Sequence, residues 1–273
     1  GLKLKIGTGL EKDKARRVVR VDGKDAKSQS DLASFLSAVW LTPQMDRLFL
    51  DSPSARRRFL DRLVFSLDPA HIGRLSRYEK NLRERMSLLQ AERAADPLWL
   101  DRLESQLAAD AVAIAVARKD LILTFGQQFQ GERSAFPRPV LSLSGGVDGL
   151  LAETTALGAE EALQNKIKRA RGQDAASSKS AEGAHRSDFL VHYAEKNISA
   201  AQCSTGEQKA LLISIVLAHA RMMKSEKGAT PLLLLDEVAA HLDDARRHEL
   251  FAQLQSFDGQ IWLTGTDEGI FAS

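Results

Sequence analysis

The stretch Leu-Leu-Leu-Leu-Asp-Glu at residues 232–237 decides the fold class, because four leucines lead directly into two carboxylates. A short apolar run without alternation is typical of a strand that is buried on both faces, as in a parallel sheet. Pro231 precedes this run, and a helical pattern at 245–254 and an apolar strand pattern at 261–263 follow it. A strand, a helix and a strand in this order predict an α/β fold.

The two carboxylates that end the predicted strand are suited to phosphate chemistry. We expect Asp236, at the carboxyl edge of the strand, to hold a Mg²⁺ ion that bridges phosphates. We expect Glu237 to orient and deprotonate an attacking water molecule. Taken alone, however, an Asp-Glu pair after four leucines more often marks a strand that runs into a turn.

A second motif precedes this strand by about thirty residues, a spacing typical of an intervening helix. Ser204, Thr205, Gly206, Glu207 and Gln208 open a helix that is predicted over 206–224. The Ser-Thr-Gly turn places a hydroxyl group and free backbone N–H groups at a helix N-terminus, which favours a terminal phosphate. A serine there is more often only an N-cap. The order of the two motifs, followed by His-Leu-Asp at 241–243, favours a nucleotide site.

The remaining patterns indicate an α/β core with a mostly helical segment inserted in it. Strands are predicted at 2–6, 17–21, 39–41, 140–144 and 189–193, with a turn at 22–23. Amphipathic helices are predicted at 53–65, 69–93 and 97–125. The composition of 172–183 predicts a loop.

Composition excludes several classes of protein. The chain has 273 residues, of which 44% are hydrophobic and 27% charged, and this argues against disorder. Cys203 is the only cysteine, so an intramolecular disulfide is impossible and a cytosolic setting is favoured. The longest nearly unbroken apolar run, 210–218, is far shorter than the ~20 residues that a membrane helix needs.

The net charge of +2 hides a segregation of charge along the chain. Basic residues are in excess in 1–40, 46–93 and 164–186, and acidic residues are in excess in 94–163 and 187–273. This pattern fits either a DNA-binding surface or ordinary ion-paired helix faces. Aromatic residues are not interleaved with the basic ones, which argues against a groove that stacks single-stranded bases. The DNA-contacting candidates are Arg56, Arg57, Arg58, Arg62, Arg74 and Arg77, with a second group at 166–171.

At this point the sequence resembles the ATP-binding-cassette ATPases. Residues 204–208 are similar to their signature motif, 232–237 to the Walker B strand and 240–243 to the D-loop. Gln44, just after a predicted strand, is at the position of the Q-loop. Within this group, 40–49, 54–62, 184–188 and the spacing from Gln44 to Ser204 resemble the RecF family of recombination mediators.

The resemblance implies an ABC-type ATPase head, a mixed sheet flanked by helices, with an inserted helical lobe. It divides the chain into a partial ATPase lobe at 1–51, a helical insert at 52–135 and a return to the ATPase core at 136–273. It implies ATP and Mg²⁺ as cofactors, a cytoplasmic location and no membrane association. Asp236 and Gln44 would serve Mg²⁺, Gln44 would also sense the γ-phosphate, and Glu237 would be the general base.

The implied partners are DNA, at junctions of single and double strands, and a second copy of the chain in an ATP-dependent homodimer. Residues 204–208 would contact the nucleotide of the other subunit, and Asp243 would line the dimer interface. In the family this activity supports the loading of RecA at single-strand gaps, together with RecO and RecR. The alternatives are a non-enzymatic DNA-binding or structural fragment, and an SMC-like chromosome-organising ATPase, which the modest helical insert argues against.

Two features depart from the pattern of the family. The 273 residues contain no Gly-x-x-x-x-Gly-Lys-Ser/Thr motif, which in the family precedes the Q-loop, so we expect it upstream of Gly1. The position of the switch histidine holds Thr264-Gly265-Thr266 instead. The resemblance therefore leaves the role of this edge of the site open.

Overall fold

The computed structural model describes residues 5–10, 17–25, 36–91, 96–129, 134–240 and 242–266. The strands in these ranges are β1 Ile6–Leu10, β2 Arg17–Val21, β3 Lys24–Asp25, β4 Ala38–Leu41, β5 Pro139–Ser144, β6 Asp188–Tyr193, β7 Ile198–Ser199, β8 Leu232–Leu235 and β9 Ile261–Leu263. The α-helices are α1 Pro53–Leu67, α2 Ala70–Leu89, α3 Pro97–Gln128, α4 Gly146–Glu153, α5 Ala156–Arg169, α6 Arg171–Ser177, α7 Thr205–Lys227 and α8 Asp244–Gln255. None of these helices is both long enough and apolar enough to span a bilayer.

The described strands form three separate three-stranded sheets. One of these sheets is parallel and the other two are antiparallel. β1, β2 and β3 pair antiparallel, with a turn at Asp22 and Gly23, where both φ angles are positive. The strand predicted at 2–6 lies largely outside the described residues, and the described strand begins at Ile6. β5, β6 and β7 also pair antiparallel. The α/β fold with its helical lobe is confirmed.

The leucine strand β8 lies at the centre of the parallel sheet, between β4 and β9. Its Leu233 and Leu235 are buried in the main core, which also contains most of α7. The opposite face carries Trp40, Leu234 and Trp262, which are adjacent in register and are 37%, 39% and 66% exposed. The unbroken leucine run predicts a strand that is buried on both faces. Among the described residues, only the face with Leu233 and Leu235 is buried.

A second core forms a helical lobe, in which α2 and α3 pack against each other. α4 and α5, which follow the predicted insert of 52–135 in sequence, also pack against α3 in this lobe. Asp61 on α1 ties the two cores together because its carboxylate accepts two hydrogen bonds from Arg118 on α3, both at 2.8 Å. The same carboxylate is 2.9 Å from Nε2 of the fully buried His71 on α2. These contacts join α1, which packs in the main core, to α2 and α3 of the second core.

The prediction of a loop over 172–183 is wrong for its first half, which belongs to α6. Asp174 in this helix is fully buried and accepts a hydrogen bond of 2.6 Å from Arg85 on α2. Arg85 also donates to the buried Glu104 at 2.8 Å. Because these ion pairs join segments far apart in sequence, the local composition of 172–183 does not reveal them.

Candidate nucleotide-binding site

Asp236 lies at the carboxyl edge of the parallel sheet, as predicted for the first carboxylate. Its backbone N–H donates to the carbonyl of Leu41 at 2.9 Å, so β4 fixes the end of β8. The hydroxyl of Thr264, just after β9, donates to Oδ1 of Asp236. The Asp236 side chain is exposed, and its Oδ2 has no hydrogen-bond partner among the described residues. One carboxylate oxygen is therefore held by the protein, and the other is unpartnered in the described part of the chain.

Glu237 has an unusual backbone conformation that the surrounding structure holds in place. Its φ is +49°, in the left-handed region that costs a non-glycine residue about 1–2 kcal/mol. The N–H of Glu237 donates to the hydroxyl oxygen of Thr264 at 3.1 Å. Its carbonyl oxygen accepts a hydrogen bond of 2.8 Å from Nζ of Lys209. The peptide groups on both sides of the Glu237 Cα are thus fixed, which restrains where its carboxylate points.

Gln44 lies in a short 3₁₀ helix, Pro43–Arg47, that directly follows β4. Its side chain is exposed at the same edge of the parallel sheet as Asp236, because β4 and β8 are adjacent and parallel. Asp46, two residues later, is 3.4 Å from Nζ of Lys209 through Oδ2. Its other oxygen, Oδ1, is buried without a hydrogen-bond partner in the described part of the chain.

The signature residues form a capped helix N-terminus, as the sequence predicts. Ser204 is the N-cap of α7, and its hydroxyl oxygen accepts the N–H of Glu207 at 3.4 Å, while the Glu207 carboxylate accepts the N–H of Ser204 at 2.9 Å. Thr205 is exposed and Gly206 is half-buried in the first turn. A hydrogen bond from Lys196, followed by that of the Ser204 amide, lowers the pKa of Glu207 to about 2. Glu207 is therefore an anion committed to the cap.

Gln208 and Asp243 are both committed to local structure. The buried amide of Gln208 donates to the carbonyl of Cys203 at 2.9 Å, so it stabilises the turn before α7. Asp243 is exposed and caps α8 by accepting the N–H of Arg246 at 2.9 Å. A contact of either side chain with nucleotide stays a prediction. His241, in the segment similar to the D-loop, lies outside the described residues.

Most of the arginines predicted to contact DNA have partners within the protein. Arg56 makes a bidentate pair with Asp188, at 2.7 and 2.8 Å, and Arg57 donates to the carbonyl of Ser187 at 2.7 Å. The guanidinium of Arg62 lies 4.4 Å from the centre of the Trp40 ring, and burial lowers the pKa of Arg62 to about 10.

Two of the remaining candidates are ion-paired and one is free. Arg74 pairs with Asp68 at 2.6 Å, and Arg77 pairs with the buried Asp110 at 2.7 Å. Arg58 is exposed and has no hydrogen bond or ion pair among the described residues. In the second basic group, Lys168 and Arg171 are ion-paired to acidic residues near the start of α3.

The structure brings Gln44, Asp236 and Glu237 to one edge of the parallel sheet, and it adds two residues to them. Thr264 lies in the segment that departs from the family pattern, and Lys209 directly follows the predicted signature residues. The signal for Lys209 was a charged residue directly before the apolar run 210–218 of a helix that is otherwise buried. The sequence does not reveal its partner, which lies 28 residues away.

Two solved structures are similar to this chain throughout the fold. A structure described as the recombination mediator protein RecF–ATPrS in the RecFOR pathway aligns with a TM-score of 0.82 and 22% identity, covering 97% of this chain and 71% of that one. A second, described as RecF–ATP in the same pathway, aligns with a TM-score of 0.80 and 21% identity, covering 98% and 72%. At these identities the likeness establishes the fold.

Sequence relatives establish the family, although no protein-family model matches the chain. The DNA replication and repair protein RecF of Agrobacterium fabrum is 45% identical over 272 residues, which is 98% of this chain and 72% of that protein. The protein of the same name from Rhizobium rhizogenes is 43% identical over 274 residues, 99% of this chain and 72% of that protein. The chain belongs to the RecF family of DNA replication and repair proteins.

Proposed function

We propose that this chain carries the Q-loop, signature and Walker B parts of an ATP-hydrolysing site, and that ATP drives two copies to dimerise on DNA. The observation that carries the proposal is the presentation of Asp236 and Glu237 at one edge of a parallel sheet, with Thr264 bonded to both. Ligands of α/β proteins bind outside the carboxyl ends of such strands.

The donor groups at this edge fit a magnesium ion. Mg²⁺ prefers oxygen ligands and usually takes one or two carboxylates, with water and phosphate oxygens completing its shell. The carboxylate oxygen of Asp236 that has no partner among the described residues and the side-chain amide oxygen of the exposed Gln44 are of this type. Bound there, the ion would neutralise negative charge on the β- and γ-phosphates.

Glu237 would act on the water that attacks the γ-phosphate. Its carboxylate accepts a proton from this water as the oxygen forms a bond to phosphorus, and ADP leaves with the electrons of the broken P–O bond. Ser204, Thr205 and Gly206 lie at the N-terminus of α7, where free N–H groups and the helix dipole favour the γ-phosphate of a nucleotide held by the other subunit.

The biological role follows from the family, in which the relatives are named for DNA replication and repair. We propose that the ATP-bound dimer binds DNA where single and double strands meet, and that it supports the loading of RecA together with RecO and RecR. Hydrolysis would then release the dimer. Arg58 is the member of the predicted arginine set that is free to contact phosphate within the described structure.

The substitution Glu237→Gln in the full-length protein tests the proposal. It should keep ATP binding and trap the dimer, because the base is lost while Asp236 remains. Sedimentation velocity with ATP should show a persistent dimer, and phosphate release should fall by about a hundredfold or more. Glu161→Gln, at an exposed position on α5, is the matched control and should behave as the wild type.

Two outcomes would count against the proposal. A monomeric Glu237→Gln protein that releases phosphate at the wild-type rate would remove Glu237 from catalysis. A wild-type protein that binds DNA without hydrolysing ATP would favour the alternative of a non-enzymatic DNA-binding protein.

A further inference from the structure

Lys209 is a buried cation that contacts Glu237, at the end of the predicted Walker B strand, and Asp46, in the 3₁₀ helix that carries Gln44. In sequence it directly follows the predicted signature residues. It lies in the second turn of α7, directly after the signature residues, and its side chain is only 4% exposed. Nζ donates to the carbonyl of Glu237 at 2.8 Å and lies 3.4 Å from Oδ2 of Asp46. Burying an ammonium group is costly unless it is paired and hydrogen-bonded, so these two contacts account for its position.

The contact with Glu237 falls on the residue whose backbone is strained. A left-handed φ at a non-glycine residue persists only where the surrounding structure holds it. The hydroxyl of Thr264 holds the N–H of Glu237, and Lys209 holds its carbonyl. Removing the ammonium would free this carbonyl, and the backbone could relax toward an ordinary conformation. The Glu237 carboxylate would then move away from its present direction.

The contact with Asp46 extends the arrangement to the 3₁₀ helix that carries Gln44. Asp46 is part-buried, and because its Oδ1 has no partner in the described residues, Lys209 is the one cation that pairs with this carboxylate there. The same ammonium therefore fixes the distance between the Gln44 helix and the end of β8.

We propose that Lys209 is a positioning residue for ATP hydrolysis, which holds the Glu237 carboxylate in the direction needed to activate water and uses Asp46 as its counter-charge. The proposal rests on the proposed function, because it presumes that Glu237 is the general base. Lys209 itself contacts neither water nor phosphate. Because it lies on α7 beside the signature residues, it also ties the position of Glu237 to the helix that would engage the other subunit's nucleotide.

The test compares Lys209→Met with Lys209→Arg in the full-length protein. A misplacement of a catalytic group by about 1 Å can cost about a hundredfold in rate, so Lys209→Met should lower kcat by about tenfold or more. The Kd for ATP should change by less than about twofold, because phosphate contacts are untouched. Lys209→Arg keeps a cation with hydrogen-bond donors and should recover part of the loss.

Two further variants make the result specific. Lys224→Met, on the same helix, removes only a surface ion pair with Asp258 and should keep the wild-type kcat. Asp46→Asn removes the counter-charge and nearly keeps the shape, so it should also lower kcat. If the two residues act together, the double variant should be no worse than Lys209→Met alone. Asp46→Asn also provides the test should Lys209→Met fail to fold.

The outcomes separate this proposal from the one it rests on. A wild-type kcat in Lys209→Met, or a parallel loss of kcat, ATP binding and melting temperature without rescue by arginine, overturns the positioning role. If Glu237→Gln abolishes hydrolysis in the same assays, the proposed function stands even when the Lys209 proposal falls. If Glu237→Gln hydrolyses normally, both fall.

Discussion

His219 lies on α7 in the main core, where its Nε2 is 3.0 Å from the carbonyl oxygen of Leu63 and 2.8 Å from the hydroxyl of Ser66. Its Nδ1 is buried without a hydrogen-bond partner among the described residues. Burial lowers the pKa of His219 to about 4, so the ring is neutral in the folded protein at pH 5 and above. In the unfolded chain the ring takes up a proton near pH 6.5.

This difference predicts that stability rises with pH between about pH 4 and 6.5, because the unfolded state binds more protons there. The folded state thus loses the contribution of neutral His219 as the pH falls through this window. We expect the contribution of His219 to the free energy of unfolding to be about 2 kcal/mol smaller at pH 5 than at pH 7. Urea unfolding of wild type and His219→Phe at both values measures it.

His219→Phe should show a smaller pH dependence than the wild type by about that amount. His185, whose pKa burial also lowers, contributes to the pH dependence that remains in this variant. The matched control is Leu157→Gln, at an exposed position on α5, which removes no titratable group and should keep the wild-type pH dependence. Equal pH dependence in His219→Phe and wild type would contradict the assignment.

The position of a single residue in the fold could be predicted where its type and its place in a local sequence pattern were sufficient. Asp236 and Glu237 are carboxylates at the end of an apolar strand, and the structure places them at the sheet edge. The conformation of Glu237 was not predictable, because it depends on Lys209 and Thr264, which are distant in sequence. The arginines of α1 were ambiguous for a related reason: their charges are visible in the sequence, but Asp188 as the partner of Arg56 is not.

At the scale of elements, α6 depends on a buried ion-pair network more than on its own composition. Arg85 is 1% exposed and is hydrogen-bonded to Glu104, Asp174 and the carbonyl of Ile167. Replacing Arg85 by an uncharged residue would deprive the buried carboxylates of Glu104 and Asp174 of this cationic partner. Loss of one partner of a buried ion pair is strongly destabilising. We therefore expect this network to stabilise both the lobe and α6.

Arg85→Met should lower the free energy of unfolding by about 3–5 kcal/mol, since the aliphatic stem is kept while the charge is lost. Arg83→Met, at an exposed position on the same helix, should change it by less than about 0.5 kcal/mol. Chemical unfolding gives both values, and hydrogen exchange should show faster exchange of the α6 amides in Arg85→Met. Unchanged exchange and stability in this variant would show that α6 forms independently.

The elements that could be predicted were those with long or strong local patterns. The helices at α1, α2, α3, α7 and α8 and the strands β4, β8 and β9 all appear close to their predicted positions. α7 ends at Lys227, because Gly228 takes the left-handed conformation that ends helices. Elements fixed by distant partners, such as α6, have no comparable local signal.

At the scale of the whole molecule, the segregation of charge does not translate directly into a DNA-binding surface. Arg56, Arg57 and Arg62 are used to attach α1 to β6 and β4, whereas Arg58 on the same helix is exposed. A guanidinium that is already ion-paired releases fewer counterions from DNA than a free one. Among Arg56, Arg57 and Arg58, only Arg58 has no hydrogen bond or ion pair in the described part of the chain, so a contact of Arg58 with DNA stays a prediction.

Arg58→Ala should weaken DNA binding for every sequence and reduce the slope of log Kd against log salt concentration by about 1. Arg56→Ala should leave that slope unchanged but lower the melting temperature, because Asp188 loses its partner. Fluorescence anisotropy over a range of salt concentrations and a thermal melt distinguish the two variants. A reduced salt slope in Arg56→Ala together with an unchanged slope in Arg58→Ala would contradict this prediction.

The exposed face of the parallel sheet gives the protein an intrinsic optical reporter. Of its three tryptophans, Trp40 and Trp262 lie on strands that end at the edge of the sheet that carries Asp236, and Trp99 lies on α3 in the helical lobe. Indole emission shifts with polarity, and the cation of Arg62 already lies against the Trp40 ring. With Trp99 replaced by phenylalanine, the tryptophan fluorescence of these 273 residues would come from this sheet alone. Events at the site could then be followed in real time without an attached dye.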